Sequence, residues 1–182
     1  DDASLEVLFS RHLKGAYAYV TRLIGAQEAE DAVQEGFVKA WRSLKTFDPE
    51  RPFRPWLYRI VHNAALDLLK KKRPAAFSSL ETEDGPAFEE TIEDTAPLPS
   101  DLLERAAASD DLQRILSDLP LKQRTVLLLH YEEDMTFAEI GDVLGESLNT
   151  VKSRHHRALL ALRAKLAEAL RVQSISARKN EL

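Results

Sequence analysis

The sequence predicts an all-α protein with two small helical domains joined by an acidic, proline-containing linker. Apolar residues recur at helical spacing on both sides of the middle of the chain, and no stretch alternates polar and apolar residues as a strand would. The middle is instead rich in Pro, Ser, Thr, Glu and Asp, the composition of a tether. With 182 residues, the chain has room for two such domains.

The charge pattern places the linker at residues 74–111. That segment holds 11 acidic residues against the single basic residue Arg105, and it contains four prolines. Its net charge is −10, whereas residues 1–73 carry +3 and residues 112–182 carry +2. We therefore predict an N-terminal domain over 1–73, a linker over 74–111, a C-terminal domain over 112–171 and a frayed tail over 172–182.

Three helices are predicted in the N-terminal domain. Their apolar residues recur every three to four positions, which is the period of one helical face. The predicted helices run from Leu5 to Val20, from Ala29 to Trp41 and from Trp56 to Leu69. A segment with three prolines, residues 48–55, separates the second helix from the third.

The third predicted helix has two different sides. One side is apolar, and the other combines an aromatic plane, an amide and two cations: Trp56, Arg59, Asn63 and Lys70. Aromatic and basic groups on one face suit unstacked bases and a single-stranded backbone, because stacking on an aromatic ring tolerates any base. The sequence leaves open the alternative that Trp56 and Tyr58 are core residues beside a solvated cationic end.

In the C-terminal domain, the stretch from Thr136 to Leu162 has the pattern of a helix-turn-helix. Thr136 is a good N-cap, and Glu139 follows at the spacing of a capping box. Gly145 can adopt the left-handed conformation that ends a helix, and Ser147 can cap the next one. The predicted helices of this domain cover 112–119, 123–131, 137–144 and 150–170.

The second helix of this motif is expected to contact duplex DNA. Its polar arc carries four donor side chains: Lys152, Ser153, His156 and Arg157. Such donors suit phosphate oxygens and base edges in the major groove. The alternative is an amphipathic helix whose charged face is exposed to solvent and binds no DNA. His155 lies on the opposite arc and is expected to pack within its own domain.

Several classes of function are not expected. Without cysteine, the chain can form neither a disulfide nor a thiolate zinc site, and a reducing cytoplasm is the natural compartment. No apolar run reaches the roughly 18 residues of a membrane span, so we expect no membrane insertion. The Glu-x-x-His pairs of helical metal enzymes do not occur. We therefore expect no catalysis, no metal and no cofactor.

Four segments together resemble the extracytoplasmic-function group of bacterial sigma factors, the promoter-specificity subunits of RNA polymerase. They occur in the order of that family's signature helices, two in each domain. These segments are Ala29–Phe37, Phe53–Asp67, Leu119–Leu129 and Thr150–Ala158. The resemblance implies that residues 1–73 form sigma region 2 and residues 112–171 form sigma region 4.

The resemblance implies two kinds of polymerase contact. The helix that bears Asp31, Gln34 and Glu35 would dock on the clamp coiled coil of the largest polymerase subunit. The C-terminal domain would contact the flap of the second largest subunit. The acidic linker would thread toward the active site and the RNA exit path, although a solvated tether without a specific site remains the alternative.

The resemblance also implies that the two domains contact different elements of the promoter. The loop from Thr46 to Arg54, with Phe47 and Asn63 beside it, would receive a flipped base of the −10 element. The opened strand would be held by a set of aromatic and basic residues of the third helix: Trp56, Tyr58, Arg59 and Lys70. The recognition helix would read the −35 element through Lys152, Ser153, His156 and Arg157.

Regulation is implied by the family as well. Its members are commonly held inactive by an anti-sigma factor, often one anchored in the membrane. The main alternative is an interaction module that sequesters an anti-sigma factor without reading DNA. The sequence names neither that partner, nor the inducing signal, nor the promoter motif.

Overall fold

The computed structural model describes residues 2–80 and 111–180, and within these ranges every regular element is a helix. The predicted all-α fold with two helical domains is therefore confirmed. No helix in the described ranges is both long and apolar enough to cross a membrane. The prediction that the linker enters the polymerase channel lies outside the described residues, since most of the linker falls between 81 and 110.

The N-terminal domain is built on three long helices that pack against one another. Its elements are α1 (Asp2–Ile24), α2 (Ala26–Ser43), a 3₁₀ turn (Leu44–Thr46), α3 (Phe53–Lys72) and α4 (Pro74–Leu80). The α2 and α3 helices approach closely at Gly36, where a Cβ would lie 2.9 Å from the Cα of Val61. Glycine at this position is therefore what allows the two backbones to touch.

The core of this domain contains a buried polar pair. Tyr19 and His62 are both buried, and the Tyr19 hydroxyl is hydrogen-bonded to Nδ1 of His62 at 2.8 Å. Burial lowers the pKa of His62 to about 4. The imidazole therefore stays neutral at physiological pH.

The first residues of the predicted linker are helical, which differs from the sequence prediction. Pro74 starts α4, and a proline is well suited to the first turn of a helix because it needs no hydrogen-bond partner there. Phe77 is buried, and the Lys70 ammonium lies 5.8 Å from the centre of its ring. A helix of seven residues is too short to show a helical period in the sequence.

The C-terminal domain consists of four helices. They are α5 (Asp111–Ser117), α6 (Leu121–Tyr131), α7 (Phe137–Leu144) and α8 (Leu148–Asn180). The α8 helix continues through the segment that was predicted to fray, because no Gly or Pro interrupts the chain between Leu148 and Asn180. The predicted tail is thus helical up to Asn180.

The two domains contact each other. The α3 helix packs against α7, and α1 packs against α6 and α5. Polar groups cross this boundary: the Arg124 guanidinium donates to the Leu23 carbonyl at 2.7 Å, and Arg22 pairs with Glu132 at 2.5 Å. Buried apolar residues of both domains belong to one core cluster, so the boundary combines apolar packing with these polar contacts.

Candidate nucleic-acid interface

The turn between α7 and α8 has the capping geometry that the sequence predicts. Thr136 Oγ1 accepts a hydrogen bond from the Glu139 amide at 3.2 Å, and the Glu139 carboxylate accepts one from the Thr136 amide at 2.8 Å. Gly145 ends α7 in the left-handed region at φ 68°. The turn is so tight that a Cβ on Gly141 would lie 2.8 Å from the Glu146 carbonyl oxygen.

The start of α8 is fixed by two further contacts. Ser147 Oγ accepts from the Thr150 amide at 3.1 Å, so the predicted N-cap is confirmed. Arg154, which is buried on α8, donates to the carboxylate of Glu146 in the turn. This ion pair ties the orientation of the recognition helix to the turn before it.

The predicted donor residues of α8 differ in how accessible they are. Lys152 is exposed, His156 and Arg157 are half-buried, and Ser153 is only 4% exposed. Three of the four side chains therefore reach the surface in this conformation. A base contact by Ser153 would require a local rearrangement.

His155 packs within its own domain, as predicted. Its ring lies 4.9 Å from Phe137 and 5.7 Å from Tyr131, and its Nε2 is 3.1 Å from the Tyr131 hydroxyl. Burial and the neighbouring His130 and His156 lower its pKa to about 4. Within the described residues, no group of His, Asp or Glu side chains could hold a metal ion.

A cavity of about 290 Å³ opens at the start of α3. The Trp56 ring lies there at 5.0 Å from Phe47 and 5.4 Å from Phe53, measured between ring centroids. Its walls combine aromatic, proline, acidic and cationic residues: Thr46, Phe47, Asp48, Arg51, Pro52, Pro55, Trp56, Arg59 and, from α7, Asp142. The structure thus brings together Phe47, Trp56 and Arg59 of the predicted DNA-opening set.

The rest of that predicted set separates into exposed and buried residues. Asn63 and Lys70 are exposed on the same stripe of α3 as Trp56 and Arg59. Tyr58 is only 1% exposed, and its hydroxyl donates to Glu133 of the C-terminal domain at 2.5 Å. Burial and this hydrogen bond raise the pKa of Tyr58, so it remains a neutral donor. In this conformation Tyr58 is a core residue, which is the alternative that the sequence left open.

The three predicted clamp residues all lie exposed on α2. Asp31 pairs with Lys72 at 2.6 Å, and Glu35 pairs with Lys39 at 2.8 Å. Gln34 lines a groove of about 1210 Å³ between α1 and α2.

Sequence reasoning missed this groove. It is largely apolar, and its walls include four large side chains that are 43–49% exposed: Leu13, Tyr17, Val38 and Trp41. In the sequence these residues continue the helical period of the core, so only their exposure after folding marks them as a surface. Exposed apolar patches of this kind are typical of protein interaction sites.

The family models and the relatives that match this chain all belong to the sigma factors of RNA polymerase. The Sigma-70 region 2 model matches residues 8–74, and the Sigma-70 region 4 model matches residues 109–162. The ECF RNA polymerase sigma factor SigW of Bacillus subtilis is 36% identical over 156 residues, covering 84% of this chain and 83% of that protein. The RNA polymerase sigma-H factor of Pseudomonas aeruginosa is 32% identical over 177 residues, covering 94% and 90%.

A solved structure agrees with these relatives. It is CnrH in complex with the cytosolic domain of CnrY, which is 28% identical to this chain with a TM-score of 0.63. The match covers 94% of this chain and 90% of CnrH.

Proposed function

The chain belongs to the extracytoplasmic-function group of RNA polymerase sigma factors, and on that premise we propose that it binds core polymerase and directs initiation at a defined class of promoters. The observation that carries this proposal is the presence of two different candidate DNA surfaces, one in each domain. One is the aromatic cavity at the start of α3, and the other is the capped recognition helix α8.

The α3 surface suits an opened DNA strand. The cavity beside Phe47 and Trp56 can receive an extruded base, and Arg59, Asn63 and Lys70 lie along the path of its backbone. Stacking on an aromatic ring stabilises a base by about 1 to 3 kcal/mol, which offsets the cost of unstacking it. Strand capture of this kind needs no ATP.

The α8 surface suits duplex DNA. Lys152 and Arg157 supply cations for phosphates or base edges of the −35 element, with His156 between them and Ser153 available after rearrangement. The Arg154–Glu146 pair holds the helix in a fixed orientation.

Polymerase binding is assigned to α2. Gln34 lines the apolar groove, so a helical partner such as the clamp coiled coil of the largest subunit could bury its apolar face there. Asp31 and Glu35 are exposed on the same helix and would add polar contacts. The C-terminal domain, taken as residues 112–171, would contact the flap of the second largest subunit. Residues 1–73 would form the polymerase-binding domain, and the linker 74–111 would join the two.

An anti-sigma factor is the proposed regulator. CnrH, the structural relative, is bound to the cytosolic domain of CnrY. We propose that the present chain is held inactive by an anti-sigma factor that binds it in a comparable complex. The chain itself would carry out no catalysis, and it would act in the bacterial cytoplasm, where polymerase works.

Charge reversal on the recognition helix tests DNA reading. The double variant Lys152→Glu/Arg157→Glu should lose promoter-specific transcription with core polymerase, because both cations then repel phosphate. Lys165→Glu/Arg171→Glu is the matched control, because it also reverses two positive charges on the same helix, farther from the turn. Unchanged transcription by the double variant would favour the alternative of a module that only sequesters an anti-sigma factor.

A pull-down with core polymerase tests the clamp assignment. Alanine at Asp31, Gln34 and Glu35 should abolish binding while the circular dichroism spectrum stays that of the parent chain. Glu168→Ala, on an exposed site of the other domain, should bind normally. Retained binding by the triple variant would overturn the assignment of α2.

A further inference from the structure

One carboxylate joins the two domains through a buried polar cluster, here called the Glu133 latch and consisting of Glu133, Arg54 and Tyr58. Glu133 lies in the loop between α6 and α7, whereas Arg54 and Tyr58 belong to α3. The Tyr58 hydroxyl donates to Glu133 Oε2 at 2.5 Å, and the Arg54 guanidinium donates to the same oxygen at 3.0 Å. Arg54 also donates to the Glu133 carbonyl.

The chemistry of the latch suits a contact that can open. Glu133 is 8% exposed, and a buried carboxylate is unfavourable unless cations and donors surround it. Both of its side-chain partners come from the other domain. When the domains separate, water can replace these polar partners.

The latch holds the C-terminal domain against the α3 surface, which is the surface proposed to open DNA. Arg54 and Tyr58 flank Trp56 in sequence, and Asp142 of α7 lines the cavity that Trp56 forms. The end of α7 also reaches Arg59, since a Cβ on Gly145 would lie 3.7 Å from its Nη2. A DNA strand entering this cavity would meet the Asp142 carboxylate and the body of α7.

We propose that the chain closes on itself through the Glu133 latch, and that this closed form excludes the opened promoter strand from α3. Promoter engagement then requires the C-terminal domain to leave α3. The closure itself is a property of the free chain, whereas its effect on DNA rests on the proposed function.

The distance between the domains can be measured directly in the free, full chain. The sequence contains no cysteine, so Ala75→Cys and Ala164→Cys, both at exposed positions, give one dye site in each domain. The parent chain should give a compact single-molecule energy-transfer peak. Glu133→Gln should raise the ratio of open to closed molecules about tenfold, as expected for the loss of one charge-assisted hydrogen-bonded pair.

Matched variants keep this test decisive. Glu168→Gln removes an exposed carboxylate of the same domain and should leave the peak unchanged. Tyr58→Phe removes only the hydroxyl. Gly15→Ala places a Cβ 2.8 Å from that hydroxyl and 3.2 Å from the Glu133 carboxylate. Each variant should therefore open the chain without creating a cavity in the core. If Glu133→Gln, Tyr58→Phe and Gly15→Ala all keep the compact peak, the latch proposal is wrong.

Transcription with core polymerase tests the consequence for DNA. Glu133 is not one of the residues assigned to promoter DNA or to the clamp. Glu133→Gln should therefore reach half-maximal transcription at a lower chain concentration than the parent, because a larger fraction is competent to bind. An unchanged concentration, together with an opened energy-transfer peak, would overturn the claim that closure limits promoter use. If the parent chain supports no promoter-specific transcription at all, the proposed function fails, while the energy-transfer result still decides whether the latch exists.

Discussion

The α3 surface and the recognition helix α8 both present cations, but they differ in shape and in the side chains that surround those cations. The α3 surface surrounds a cavity with the rings of Phe47, Phe53 and Trp56. The α8 surface is a helix held in place by its N-cap and by the Arg154–Glu146 pair. An aromatic cavity accepts an unstacked base, whereas a rigid helix fits the major groove of a duplex. The difference supports the proposal that opening and reading of DNA are functions of separate domains.

The two domains also differ in how their stability should depend on pH. Burial in the N-terminal core lowers the pKa of His62 in the folded chain to about 4, below its ordinary value of 6.5. Between these values the unfolded chain binds a proton that the folded chain does not, so stability falls as the pH drops from 6.5 toward 4. The shift corresponds to about 3 kcal/mol in total. His155 changes stability in the same direction, but by less because it is only half-buried.

Urea titrations followed by tryptophan fluorescence can isolate the N-terminal domain, because both tryptophans, Trp41 and Trp56, lie in it. The free energy of unfolding of this domain should decrease between pH 7 and pH 5, and His62→Gln should flatten that decrease. An equally steep decrease in His62→Gln would show that His62 is not its cause.

Two glycines provide a second way to separate the domains. The Cβ of Gly36→Ala would meet the Val61 backbone at 2.9 Å, and that of Gly141→Ala would meet the Glu146 carbonyl at 2.8 Å. Backbone cannot move aside cheaply, so each substitution should cost about 2 kcal/mol in its own domain, after the gain in helix propensity. Gly36→Ala should shift the tryptophan transition, and Gly141→Ala should leave it in place. A shift of that transition by Gly141→Ala would mean that the domains unfold as one unit.

The part of the molecule that the sequence predicts best is the helix-turn-helix. Its geometry depends on contacts three or four residues apart, such as Thr136 with Glu139 and Ser147 with Thr150, and such spacings are visible in the sequence. The stripe of Trp56, Arg59, Asn63 and Lys70 was predictable for the same reason.

Features that depend on distant partners were not predictable. Glu133 meets Tyr58 across 75 residues, and nothing in either local sequence indicates that pairing. The apolar groove also depends on which side chains remain uncovered when α1 and α2 pack, which a helical period alone does not reveal.

Removing the aromatic plane of the α3 surface should weaken strand opening more than duplex binding. Trp56→Ala should reduce the stability of the open promoter complex several-fold, by at least about 1 kcal/mol, because one stacking platform is lost. Trp56→Phe keeps an aromatic face and should recover most of this loss. Permanganate reactivity of the melted thymines measures the effect. Equal defects in Trp56→Phe and Trp56→Ala would argue against stacking.

The smallest predicted effect concerns the cap of the recognition helix. Ser147→Ala removes the acceptor for the Thr150 amide and should destabilise the C-terminal domain by about 1 kcal/mol. Ser147→Asp, which can accept the same hydrogen bond, should restore stability. Thermal melting followed by circular dichroism measures both variants. If Ser147→Asp were as destabilised as Ser147→Ala, the cap would not be the cause.

The claim that α3 opens the DNA and α8 reads it can be tested most directly by transcription from two versions of one promoter. One version is a full duplex, and the other has an unpaired −10 segment. The unpaired template should rescue Trp56→Ala, because its strand is already open, and should not rescue Lys152→Glu/Arg157→Glu, because the −35 duplex is unchanged. Rescue of both variants to the same degree, or of neither, would contradict the assignment of opening to α3 and reading to α8.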